Sequence, residues 1–142
     1  MPMSMPEILE SFAARNVGTL PGYMGIEWLH AETGLVRARI ALLPHHIAPN
    51  GFLHAATVIA LADTAAGYGC FISMPEGGVS FTTIELKSNF LGTAREGAIH
   101  AEAKLVHGGK TTQVWDAVVT DETGGKTIAL FRCTQMILRP KG

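Results

Sequence analysis

Apolar side chains recur at helical spacing near the start of the chain, where Ile8, Leu9, Phe12 and Ala13 share one face between Pro6 and Asn16. That spacing predicts a short amphipathic helix, with Pro6 near its start and Gly18 ending it. Alternation then replaces helical spacing. Met24 to His30 reads as a strand and Gly34 as a turn. Leu35 to Leu42 reads as a second strand, with Arg37 and Arg39 on one side and Val36, Ala38 and Ile40 on the other. Pro44 stops it, and a loop carries His45, His46, Pro49, Asn50 and Gly51. From about His54 to Ile72 the chain is apolar nearly all round, which predicts a long and largely buried helix. Pro75, Gly77 and Gly78 break it. Four strand-like runs follow: Val79 to Leu91, Ala98 to Val106, Thr111 to Thr120 and Lys126 to Leu138. With no crossover helix between them, these four are expected to pair antiparallel as hairpins. The simplest packing is an α+β fold in which one long helix covers one face of a six-stranded antiparallel sheet. Trp115, Phe131 and Met136 are expected to point into the core of that packing.

The chain has 142 residues, which fits a single domain over residues 1–142 with its core at about 20–139. Hydrophobic residues make up 47% and charged residues 16%, the opposite of a disordered composition. Eleven Lys and Arg against twelve Asp and Glu give a formal charge of −1, so a nucleic-acid partner is not expected. Cys70 and Cys133 make neither a disulfide framework nor a zinc motif, and reduced thiols point to the cytoplasm. The first six residues lack a basic head followed by an apolar run, so no secretory signal is expected. The stretch from Ala55 to Ile72 is near the length of a membrane span. Its Ala, Gly and Thr content, with Asp63 in the middle, favours a buried helix and no membrane partner. The histidines have no ligand-like spacing, so neither a metal nor a cofactor is expected.

Two features of the long helix carry candidate chemistry. Asp63 is its only formally charged side chain. A buried carboxylate without a partner is costly, so Asp63 is either bonded locally or tuned as a base or nucleophile. The second feature is the start of the helix, at Asn50-Gly51-Phe52-Leu53-His54-Ala55. Free N–H groups in its first turn can hold a carbonyl oxygen that gains negative charge. Asp63 lies nine positions after His54, roughly 13 Å along a helix. One reacting carbon cannot touch both. If both serve one substrate they come from different chains, which suggests a homodimer with composite sites.

The segment His46 to Tyr68 (HIAPNGFLHAATVIALADTAAGY), the later Gly78 to Gly97 (GVSFTTIELKSNFLGTAREG) and the order of elements resemble the hotdog-fold acyl-CoA thioesterases. The nearest resemblance is to the phenylacetate-degradation and 4-hydroxybenzoyl-CoA branch. It covers about Tyr23 to Leu138. The resemblance implies a hotdog fold and hydrolysis of an acyl-CoA, with an aryl or medium-size acyl group, to a free acid and coenzyme A. It also implies a homodimer that can pair again into a tetramer. By position it puts the catalytic carboxylate on Asp63, the oxyanion donor on the Ala55 N–H with His54 beside it, and a helping hydroxyl on Thr83, or on Thr82 by register. The family pattern departs at two places. His-Gly-Gly becomes His54-Ala55-Ala56, and the usual amide position holds Ala48. Either Asn50 supplies that amide or the site lacks the contact. Coenzyme A phosphates want cations and backbone donors, for which Lys87, Arg95 and Arg132 are candidates. So is the turn His107-Gly108-Gly109-Lys110-Thr111, which the resemblance sets against the pantetheine or nucleotide. Gly51 and Phe52 would meet substrate at the helix start. Phe52, Tyr68 and Phe81 are expected to line the acyl pocket, the core or the dimer interface. The rival readings are a hotdog hydratase or dehydratase, in which His54 would work with a carboxylate, and a non-catalytic acyl-CoA binder.

Overall fold

The computed structural model describes residues 2–141. The chain runs α1 (Met5–Asn16), α2 (Leu20–Met24), β1 (Ile26–Glu32), β2 (Leu35–Ala41), α3 (Ala55–Ile72), β3 (Ser80–Phe90), β4 (Ala98–Gly108), β5 (Thr112–Asp121) and β6 (Thr127–Leu138). A short 3-10 turn at Pro44–His46 precedes α3. The six strands form one antiparallel sheet in the order β1-β2-β4-β5-β6-β3. The expected helix-on-sheet architecture is therefore present.

Alternation along each strand explains which face meets α3. Val36, Ala38 and Ile40 on β2, Ile99, Ala101 and Ala103 on β4, Trp115, Ala117 and Val119 on β5, and Phe131 and Cys133 on β6 are buried. They pack with Val58, Leu61, Ala62, Ala65 and Ala66 of α3 in one core. Arg37 and Arg39 point to the opposite face, as alternation requires. The small residues of α3 let it lie close to the sheet. A Cβ added at Gly69 would sit 2.5 Å from the Trp115 ring, so only glycine fits there. By length and composition α3 could cross a membrane, with a mean hydropathy of 1.5, yet half of it is buried against this sheet.

Three expectations change. The strand runs do not all join as hairpins. β4, β5 and β6 do, but β3 pairs with β6 at the sheet edge, while β4 lies between β2 and β5. Burial accounts for the difference. β4 carries small and branched apolar residues that fill a central position, whereas β3 is exposed along most of its length. Second, Leu20–Met24 forms a one-turn helix ended by Gly25 in the left-handed conformation, so the first strand starts at Ile26. Third, Met136 is out of phase with Phe131. The buried positions of β6 are Ile128 and then, in alternation, Ala129, Phe131, Cys133, Gln135 and Ile137.

Candidate active site

Asp63 projects from the middle of α3 toward β3. Burial pushes its carboxyl above the usual carboxylate range, and the hydrogen bond from Thr83 only partly offsets this. Thr83 Oγ1 donates to Asp63 Oδ1 at 3.0 Å. The same hydroxyl lies 2.9 Å from Gln135 Oε1 on β6. Thr83 and Gln135 are direct register partners. A bulge between Thr83 and Glu85 follows at once and re-phases the rest of β3. Thr82 is exposed, so the register selects Thr83 as the hydroxyl that reaches Asp63. No ion pair reaches Asp63 among the described residues.

The start of α3 is built from the preceding loop. His54 is the N-cap, and its Nδ1 accepts from the Ala56 N–H at 2.9 Å. That bond occupies Ala56. The Ala55 N–H makes no hydrogen bond among the described residues and is left at the positive end of the helix. His46 fixes the approach to this turn from the buried side. Its ring accepts from the Leu43 N–H at 2.9 Å and lies 2.8 Å from the Met24 carbonyl. Its own carbonyl accepts from the His54 N–H and from Thr57 Oγ1. An apolar cleft of about 490 Å³ opens beside the free donor, lined by Phe52, Ala55, Val58, Phe90, Leu91 and Thr93. Arg95 sits over the Phe52 ring at 5.0 Å. Within one protomer Asp63 lies eight residues beyond Ala55, roughly 12 Å along α3.

Residues 50–128 match the family model described as the thioesterase superfamily. A 1,4-dihydroxy-2-naphthoyl-CoA hydrolase of Listeria monocytogenes is 33% identical over 111 residues, spanning 78% of this chain and 89% of that protein. The chain belongs to the thioesterase superfamily. A mutant thioesterase from Pseudomonas aeruginosa superposes on it with a TM-score of 0.87 at 23% identity, covering 93% of this chain and 94% of that one. A mutant thioesterase from Staphylococcus aureus gives 0.80 at 29% identity, covering 85% and 98%. The fold is the hotdog fold, and the enzyme is a thioester hydrolase.

The other candidate residues fall in separate places on this thioesterase. Asn50 is exposed, and its Oδ1 accepts from the Phe52 N–H at 3.3 Å, which shapes the Gly51-Phe52 turn beside Ala55. His107, Gly109, Lys110 and Thr111 form the β4–β5 hairpin. There Gly109 N donates to the Thr112 carbonyl, and Arg139 donates to the Lys110 carbonyl at 2.6 Å. Gln113, at the base of that hairpin, donates to the Ser73 carbonyl, so the hairpin lies at the C-terminal end of α3, away from Ala55 of the same protomer. Lys87 stands opposite Arg132, beside a shallow cleft that Asp116 and Glu85 also line, on the face of the sheet away from α3. Tyr68 does not line the cleft. It stacks with Phe12 and Trp28 and hydrogen-bonds Asn16, closing α1 onto β1 and α3. Phe81 packs against Gly67 of α3.

Sequence reasoning missed Gln135 and the structural part of His46. Gln135 shares strand parity with Phe131 and Cys133, so its inward position was available from the alternation. His46 offered no signal, because its bonds come from a 3-10 turn and from the end of α2.

Proposed function

We propose that the enzyme hydrolyses an aryl or medium-size acyl-CoA to the free acid and coenzyme A, in composite sites formed by two copies of the chain. The observation that carries this reading is the pairing of a half-buried Asp63 with Thr83, on the same helix whose first turn leaves the Ala55 N–H free, with no cation at Asp63 and no bond to that N–H among the described residues. The thioester carbonyl would sit at Ala55 of one subunit, with His54 and Asn50 shaping the turn. Asp63 of the other subunit would drive attack, as base on a water or as nucleophile. In the base route water adds to the carbonyl carbon and Asp63 takes its proton. Thr83 orients Asp63. The oxyanion rests on Ala55 N–H, and as it collapses the carbon–sulfur bond breaks and the leaving thiolate takes the proton back from Asp63, which restores the base.

Dimerisation is supported by β3. It is an edge strand of 11 residues with Ile84, Leu86 and Phe90 exposed, a row of unpaired backbone groups suited to a second copy. Antiparallel pairing there would set two α3 helices in opposite directions. Each Asp63 would then approach the other chain's Ala55, and the dimer could pair again into a tetramer. The cleft beside Ala55 would take the acyl group with Phe52 and Gly51 at its mouth. Lys87 and the turn His107-Gly109-Lys110-Thr111 would meet the pantetheine and phosphates. The aryl preference draws on the name of the Listeria relative. The reading includes no cofactor, metal, nucleic acid or membrane, and the free, buried Cys70 and Cys133 fit a reducing cytoplasm.

The test is thiol release from a panel of aryl- and alkyl-CoA thioesters by the wild-type enzyme and by Asp63→Asn. The reading expects release by the wild type and a loss of about two orders of magnitude or more in the variant. Undiminished release by Asp63→Asn removes Asp63 from the mechanism. Hydration or alkene formation would turn the reading to a lyase, and binding without product to a carrier.

A further inference from the structure

Thr83 has one hydroxyl proton and two acceptors. Asp63 Oδ1 is 3.0 Å from it and Gln135 Oε1 is 2.9 Å from it. Both bonds cannot use that one proton. The Gln135 amide is held with its oxygen toward Thr83, because Nε2 donates to Cys133 Sγ at 3.4 Å. Gln135 is fully buried, so water cannot replace a lost partner. We propose that Gln135 is a positioning residue for Asp63: its carbonyl competes for the Thr83 proton and thereby favours the protonated form of Asp63, so that the reactive carboxylate forms at a higher pH than it would without Gln135. The inference rests on the reading of Asp63 as the carboxylate that drives attack.

The proton balance is explicit. With Asp63 protonated, its O–H donates to Thr83 Oγ1, Thr83 donates to Gln135 Oε1, and every acceptor in the row has a hydrogen. When Asp63 ionises, its proton passes to water and the Thr83 hydroxyl turns back to the carboxylate. Gln135 Oε1, itself fully buried, then loses its donor. The row therefore favours the protonated acid, in the same direction as the burial of Asp63.

No other titrating group around Asp63 explains such an effect. From β6 the nearest is Cys133, whose thiol is pushed up to about 12, by burial first and then by Asp63 itself. On α3, Cys70 is pushed up to about 11 by burial, and burial raises the Tyr68 hydroxyl as well. All three stay neutral at physiological pH. Of the titrating or charged residues of β2, β4 and β5, Arg37, Arg39, His100, Glu102, Lys104 and Asp116 make their ion pairs with exposed groups on the far side of the sheet, His107 is exposed, and Asp121 accepts from the Thr123 N–H. On β3, Glu85 and Lys87 are exposed, and β1 carries Glu27 with Arg39 and His30 with Glu32. Tyr23 of α2 is exposed.

The experiment follows the Asp63 carboxyl by carbon-13 NMR titration, alongside the pH dependence of kcat, in the wild type, Gln135→Met, Thr83→Val and the double variant. Met keeps the volume and removes the acceptor. The proposal expects Gln135→Met to lower the Asp63 midpoint by about half a unit to one unit, with the acid limb of the rate profile moving equally. In the Thr83→Val background the same change should move nothing, because the link is gone. A midpoint that stays put, or that rises, overturns the proposal. A rise would mean that the amide nitrogen faces Thr83. If Gln135→Met does not fold, Gln135→Glu retains an acceptor there. Its Asp63 midpoint is expected to stay as high as in the wild type or higher, and a lower one overturns the proposal. Should Asp63→Asn keep full activity, the catalytic reading fails, while the NMR midpoints still decide the case of Gln135.

Discussion

On the face of the sheet turned away from α3, Arg39 reaches Glu122 and Glu27, Arg37 reaches Glu102, and Arg132 reaches Asp116. On the face turned toward α3, Asp63 has a hydroxyl and, among the described residues, no cation. The two settings move acids in opposite directions. Hydrogen bonds from Arg39 and then His100 hold Glu122 down at about 2, whereas burial pushes Asp63 up. The outer groups stay in water, where a pair gains little because each partner was already well solvated. Asp63 has given up part of that solvation without gaining a counter-charge among the described residues. A census of ion pairs would point to the outer face, but the reactive group lies where a charge was left unpaired.

That contrast is sharpest if Asp63 trades stability for activity. Asp63→Asn is expected to cut thiol release by about a hundredfold or more and yet to raise Tm. The sign follows from linkage. Asp63 binds its proton more tightly in the folded than in the unfolded chain, so folding loses stability as pH rises above the ordinary value of 3.8 through the raised midpoint. The amide escapes this loss. Thermal melts at pH 8 should show a gain of roughly 2–4 °C that shrinks toward pH 4. A lower Tm for the variant at pH 8 would contradict the account.

Next in size is the donor at the helix start. Proline is tolerated at the first helical position, and His54 already has the extended backbone that a following proline requires. Ala55→Pro should therefore fold normally, by circular dichroism, and lose about a hundredfold in kcat. His46 tests the buried neutral polar groups. Removing its ring strands the Leu43 N–H and the Met24 carbonyl, so His46→Ala should cost about 2–3 kcal/mol in denaturant unfolding. Burial lowers its basicity, and protonation would put a hydrogen against the Leu43 N–H. The stability it supplies is complete above 6.5 and is lost as pH falls through its lowered midpoint. The smallest effect belongs to the outer face. Arg132→Met should change Tm by less than about 1 °C, and a large change would erase the contrast between the faces.

Much of this arrangement is legible in the chain. Val36, Ala38 and Ile40 against Arg37 and Arg39 orient β2 unaided, and an almost wholly apolar helix interrupted by Asp63 announces a buried acid. Partner strands are harder. The hairpin rule is local, and it fails where Ser80–Phe90 crosses to the far edge beside β6. Nothing in Leu20–Met24, with Pro21 and Gly22, advertises a helical turn. Thr83 was found by position. Gln135 escaped because its part depends on register across two strands that lie far apart in sequence.

The central claim is that Asp63 of one copy acts on a thioester held at Ala55 of another. Mixing Asp63→Asn subunits with Ala55→Pro subunits tests it most directly, with exchange verified by native mass spectrometry. Each hybrid would carry one intact site, so thiol release should return to roughly half the wild-type rate per hybrid dimer. Hybrids no more active than their inactive parents would contradict the claim.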